Sequence, residues 1–169
     1  MNDTRLIAYY SRSGNTRRIA KIIHQILGGT LHEILPEIPY PASYHQTLDR
    51  AKREIRSDIK PPLQSTLEQI ETFNPIFIGS PNWWSTIAPP VASFLTQFDL
   101  SGKTIIPFCT HGGGGLNNIA KDIAKLCPRS NLLNSFVVYG SGRGNVRADA
   151  ESWLNEIGIK DQDGNFVFN

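Results

Sequence analysis

A chain of 169 residues is long enough to build a real core, and 40% apolar against 19% charged content reads as globular rather than disordered. With a formal net charge of +2 no nucleic-acid footprint stands out, and no run of like charges marks an interaction tail. No stretch is apolar for long enough to span a bilayer, no signal-peptide core follows Met1, and Cys109 and Cys127 form no metal or redox spacing, so the expectation is a reduced, cytoplasmic protein that engages neither nucleic acid nor membrane.

The first strand is read at residues 6–10 and is followed at once by Ser11-Arg12-Ser13-Gly14-Asn15-Thr16. A helix with Ile19, Ile22, Ile23, Ile26 and Leu27 on one face comes next and stops at Gly28-Gly29. The second strand is read at residues 30–35, after which Pro36, Pro39 and Pro41 force an extended path. A charged helix then carries Tyr44, Leu48, Ala51 and Ile55 as its apolar stripe; residues 56–65 read as loop and 67–73 as a short helix. The proline-rich segment and the charged helix are read as a structural insertion, with a wall beside a substrate as the alternative.

The third strand is read at 75–79, and the third helix carries Val91, Phe94, Leu95 and Phe98 after Pro89-Pro90. The fourth strand spans 103–109. Its Pro107 lacks a ladder donor, so it belongs near a bulge or where no N–H is needed. Leu116, Ile119, Ala120, Ile123 and Leu126 mark the fourth helix, 132–139 the fifth strand, and Val146, Ala150, Trp153, Leu154 and Ile157 the last helix. Residues 159–168 read as a small hairpin about Asp163-Gly164.

Strand and helix alternation of this kind predicts an α/β protein: one domain over 1–169, with a doubly wound, five-stranded parallel sheet and helices on both faces. Ligands of such sheets bind outside the carboxyl ends of the strands. Three loops on that rim carry unusual chemistry. After strand one, hydroxyls, Gly14 and the helix-start N–H groups suit a phosphate. After strand three, Pro81-Asn82-Trp83-Trp84 offers aromatic faces to a flat ring. After strand four, Thr110-His111-Gly112-Gly113 offers bare backbone to a ligand edge. Phosphate, flat ring and hydrogen-bonding edge together describe FMN.

On these residues the chain resembles the flavodoxin family, in its short members, over nearly its whole length. The resemblance implies strand order 2-1-3-4-5. It implies that Ser11, Ser13, Asn15 and Thr16 hold the FMN phosphate, with Gly14 shaping the loop and Arg12 part of it. Pro81, Asn82, Trp83 and Trp84 would lie along the isoalloxazine, and Thr110, His111, Gly112 and Gly113 would face its pyrimidine edge. Flavodoxins that shuttle electrons usually carry an aromatic in the loop after strand four and are strongly acidic. This chain has His111 and glycines there and is slightly basic, which favours a small substrate reacting at the flavin.

The hydroxyl loop also reads as an ordinary N-cap, but Arg17 and Arg18 oppose the helix dipole unless an anion is near. Each tryptophan reads either as a flavin contact or as a packing residue. His111 reads either as a solvated loop residue or as a catalytic proton donor beside the flavin. Gly115 stands where a phosphatase-type loop begun at Cys109 needs arginine, and Asn145 where a dinucleotide fingerprint needs glycine. His24, His32 and His45 lack ligand spacing, so no metal site is expected. The expected function is an FMN oxidoreductase passing electrons from a reduced nicotinamide or protein donor to a quinone-like or other small acceptor. An electron carrier serving a redox partner protein is the alternative, and a non-catalytic redox-sensing module the third reading. A homodimer is compatible with each.

Overall fold

The computed structural model describes residues 4–64 and 66–167. Met1 to Asp3, where no leader was read, Ser65 in the expected 56–65 loop and Phe168 of the expected hairpin lie outside the described residues. The order of elements is β1 (Leu6–Tyr9), α1 (Asn15–Leu27), β2 (Thr30–Glu33), α2 (Tyr44–Arg56), a 3-10 turn (Ile70–Thr72), β3 (Ile76–Trp83), β4 (Thr86–Ile87), α3 (Pro89–Thr96), β5 (Thr104–His111), α4 (Ile119–Leu126), β6 (Asn131–Leu132), β7 (Phe136–Tyr139) and α5 (Val146–Glu156).

The sheet is parallel in the order β2-β1-β3-β5, with β6 and β7 both pairing the far edge of β5. This is the doubly wound order 2-1-3-4-5 expected, corrected from five strands to seven segments. Two physical causes account for the difference. The first is Pro107. Ile105 pairs with Leu132 and Phe108 with Phe136, so the edge strand carries one residue more than β5 across this gap, a bulge. The Ile105 carbonyl on that side takes the Leu133 N–H at 3.0 Å, and Pro107, two residues on, would present its missing donor to the same side. The Asn134 carbonyl freed in the bulge accepts from the Trp153 indole at 2.9 Å.

The second is a hairpin at the end of β3. β3 runs on to Trp83 and folds back on β4 through Trp84 and Ser85, both at positive φ. Positive φ is a strained position for a tryptophan. The expected short helix at 67–73 shrinks to one 3-10 turn, and Leu116 falls outside α4. The C-terminal turn closes with a single bridge between Lys160 and Phe166.

Side chains alternate across the sheet, so each face has its own core. On one face Ile7, Phe77, Ile106 and Phe108 pack against α1 (Ile19, Ile23) and α5 (Ala150, Leu154). On the other, Leu6, Ala8, Ile76, Ile78 and Ile105 pack against α3 (Val91, Phe94) and α4 (Ile119, Ile123), with Ala51 of α2. Gly79 is fixed by packing: a Cβ there would lie 2.3 Å from the Phe108 ring. Among the described residues, no helix is long and apolar enough to cross a membrane, and no cluster of His, Cys, Asp and Glu could hold a metal.

Candidate functional site

The carboxyl ends of β1, β3 and β5 open onto one cleft of about 460 Å³. Ser11, Arg12, Ser13, Asn15 and Thr16 line it from the first loop, Pro81 to Trp84 from the hairpin, and Thr110, His111 and Gly112 from the end of β5. Three segments distant in sequence are therefore brought together as the topology demands. Gly14 and Gly113 are outside the lining, although both shape it.

Gly14 precedes α1 in a left-handed conformation, φ 100°, and its N–H donates to Ser11 Oγ at 3.1 Å. No side chain caps α1, so the ordinary N-cap reading of the loop does not hold. The first-turn N–H groups are left without a side-chain acceptor at the positive end of the helix dipole. Thr16, at 1% exposure, has its hydroxyl 2.8 Å from that of Thr110, which ties the first loop to the end of β5. Arg12 donates through Nη2 to the Ala42 carbonyl at 2.8 Å, while its Nε is buried with no hydrogen-bond partner. A buried orphan donor costs about 1–3 kcal/mol. An unpaired guanidinium N–H, uncapped helix N–H groups and neutral hydroxyls on one wall form the donor set a phosphate needs, so the residues present fit FMN.

Arg17 and Arg18 are not part of that set. Arg17 is paired with Glu33, Arg18 donates to the Ser141 carbonyl, and neither lines the cleft. A nearby phosphate therefore does not by itself explain these two cations.

The tryptophans divide. Trp83 is buried and meets Tyr10 and Tyr40 edge-on, with ring centroids 5.4 and 5.0 Å apart, so it packs as well as lining the cleft. Tyr40 donates to Glu54 at 2.6 Å, and burial raises the pKa of both Tyr40 and Tyr10 well above the phenol range. Trp84 is 46% exposed; its indole donates to the Leu48 carbonyl at 3.0 Å and Lys52 Nζ lies 4.8 Å from its ring centroid.

The glycine loop is less free than its sequence suggests. The Gly113 N–H donates to His111 Nδ1 at 3.0 Å, and the Gly115 carbonyl accepts from Asn82 at 2.7 Å. β5 continues through His111, which pairs with Tyr139 in the ladder and meets its ring edge-on at 5.5 Å. His111 is thus a half-buried strand-end residue, not a solvated loop one.

Tyr44, Thr47 and Leu48 from the start of α2, and Gly140 after β7, also line the cleft; for α2 the sequence offers a wall only as the alternative to an insertion, and for the Gly140 turn it offers the cofactor pocket only as the alternative to a loop entering the last helix. The insertion reading of α2 is corrected: it is a wall of the site. The available signal was Tyr44 itself. Its spacing puts it on the apolar stripe, yet it stands in the first turn after Pro39 and Pro41, and it is 62% exposed at the cleft. Cys109 and Cys127 are buried free thiols whose pKa values burial pushes up to about 12 and about 11, which excludes a nucleophilic role at neutral pH.

Comparison with known proteins gives the same fold. A protein assigned as a flavoprotein from Bacteroides eggerthii superposes with a TM-score of 0.82 at 30% identity, covering 94% of this chain and 100% of that one. A similarly assigned protein from Bacteroides uniformis gives 0.81 at 30% identity, covering 92% and 99%. A Lactobacillus acidophilus flavoprotein solved in complex with FMN gives 0.72 at 22% identity over 89% and 98%, a likeness of fold. No curated protein matches. The family model for flavodoxin matches residues 4–157, and the chain belongs to the flavodoxin family.

Proposed function

We propose that this protein is an FMN-dependent oxidoreductase that passes electrons from a reduced nicotinamide or protein donor to a quinone-like or other small acceptor. FMN is the cofactor of the family, and the donor set of the cleft supports it for this chain. Bound there, FMN supplies the one- and two-electron chemistry, while the protein binds, orients and tunes. Ser11, Arg12, Ser13, Asn15 and Thr16 hold the phosphate, and Trp83 and Trp84 flank the ring system. Tyr44 and Trp84, both exposed at the cleft mouth, offer ring faces to a flat acceptor. Free cysteines, both buried, support a cytoplasmic setting.

The observation that carries the enzymatic reading is His111. Its Nδ1 accepts from Gly113, so the neutral ring carries its proton on Nε2. Tyr139 and the Gly113 bond fix the ring at the cleft wall. A positioned imidazole with one free N–H can donate a hydrogen bond to the oxygen of an acceptor as negative charge develops there, while the protons that complete the reduction come from solvent. The test is anaerobic reduction of FMN-loaded protein with NADH or NADPH, followed by quinone, in wild type and His111→Gln. The expected result is quinone turnover that falls about 100-fold or more in the variant. Equal turnover and an equal pH profile would refute the role of His111; no turnover in wild type would refute the enzyme.

A further inference from the structure

A second cleft, of about 690 Å³, lies between α1 and α5 and is lined by Gly14, whose sequence neighbours Ser13 and Asn15 line the first. Arg17, Arg18, Lys21 and Arg147 line it, and no carboxylate does. Glu33 answers Arg17 and Glu151 answers Arg147 from outside the lining. Arg18 is bound only to the neutral Ser141 carbonyl, and among the described residues Lys21 has no ion-pair or hydrogen-bond partner. Both are exposed. Asp149, in the first turn of α5, lines a different groove.

This arrangement opposes local electrostatics. The first turn of α1 holds Arg17 and Arg18 and no acidic residue, so two cations sit at the positive end of the helix dipole. The start of α5 adds Arg147 to the same cleft. Such a focus of like charge is unfavourable for the isolated chain and favourable once an anionic surface arrives.

From this we infer that the α1–α5 cleft is the docking surface for an acidic redox protein, the electron donor to the neighbouring cofactor. The inference rests on the FMN reading and specifies the donor it left open. A protein suits the cleft better than a dinucleotide does. The cleft is wide and lined by flexible cationic side chains, and it has no aromatic ring on which a base could stack. Ser13 and Asn15, which flank Gly14 in sequence, both line the cofactor cleft, so a partner seated here is adjacent to it. Each reduced one-electron donor gives up one electron. Two of them, with protons from water, complete the two-electron reduction of the bound cofactor.

The experiment uses a reduced plant-type two-iron ferredoxin as an acidic one-electron probe. Cofactor reduction is followed by stopped flow across a series of salt concentrations. The two variants are Arg18→Glu/Lys21→Glu and, as a control of equal charge change on the opposite face of the sheet, Lys121→Glu/Lys125→Glu. The expected result is a second-order rate that falls with salt and drops about tenfold or more in the Arg18/Lys21 variant at low salt, with FMN affinity unchanged. The control variant changes it far less. Equal slowing in both variants, or a rate indifferent to salt, would overturn the inference. If wild-type protein retains no FMN, the cofactor reading fails separately. Docking is then decided by binding of oxidised ferredoxin to the apo protein, with the same two variants and the same expected contrast.

Discussion

The Thr16–Thr110 pair gives the most searching test of how the site is built. In the free protein the two hydroxyls lie 2.8 Å apart with 1% and 3% of each residue exposed. Thr16→Val keeps shape but strands the Thr110 hydroxyl, at a cost of about 1–3 kcal/mol. For a chain of this size that lowers Tm by about 2–12 °C. Thr110→Val costs a similar amount for the same reason. The double variant strands nothing, so its loss is clearly smaller than the sum of the two, by about 1 kcal/mol or more. FMN affinity follows a different pattern. Thr16→Val loses a hydrogen bond to a dianion, about 1.5–3 kcal/mol, or roughly 10- to 150-fold in Kd. Thr110→Val loses at most a neutral bond, about 0.5–1.5 kcal/mol, or roughly 2- to 12-fold. Thermal melts of apo protein and FMN titrations of all four forms complete the cycle. Additive melting losses would show that the hydroxyls are not coupled, and unchanged FMN affinity in Thr16→Val would remove Thr16 from the phosphate site.

Other substitutions probe separate features. Arg12→Met removes the orphaned Nε, so FMN should bind at least tenfold more weakly while apo stability falls little; equal losses in both would mark Arg12 as structural. Gly79→Ala drives a Cβ into the Phe108 ring and should lower stability by about 1–3 kcal/mol in denaturant melts; a neutral effect would mean that β3 and β5 can part there. Burial lowers the pKa of His32 below its ordinary 6.5, so the folded state favours the neutral ring. Stability contributed by that ring is complete above the unfolded value and is lost as pH falls through it toward the folded one. His32→Gln should therefore flatten the stability profile below about pH 6.5, and an unchanged acid limb would contradict this. Cys109 and Cys127 should resist a thiol reagent at pH 8 until the protein unfolds; rapid labelling of either would contradict their burial.

Much of this molecule could be read from its sequence because its signals are local. The 3.6-residue stripe of Ile19 and Ile23, the strand before Ser11 and the glycines after Leu27 each act on their own neighbourhood. With the rim rule they placed three loops around one cleft. What escaped depends on contacts between distant segments. Nothing near Trp84 or Ser85 announces a two-residue turn, since neither is the glycine or asparagine that positive φ favours. Pro107 did signal an interruption, yet the bulge it calls for sits on a different strand, opposite it across the sheet. Tyr44 has the spacing of a core residue and became a cleft residue because α2 packs with its first turn over the rim. Arg17 and Arg18 stand out in the sequence as cations opposed to the helix dipole, but only the fold shows that they line a second cleft and not the first.

In the proposed complex the loop from Ser11 to Thr16 holds the phosphate of FMN. Riboflavin lacks that phosphate and is otherwise the same ligand. The decisive measurement is the ratio of riboflavin to FMN dissociation constants, in wild type and in Ser13→Ala/Thr16→Ala. FMN should bind wild type at least 100-fold more tightly than riboflavin does, since two bonds to the dianion alone supply about 3 kcal/mol or more. In the double variant the ratio falls by about 100-fold, while riboflavin affinity stays nearly unchanged. Equal affinity for the two ligands in wild type, or a ratio preserved in the variant, would contradict it.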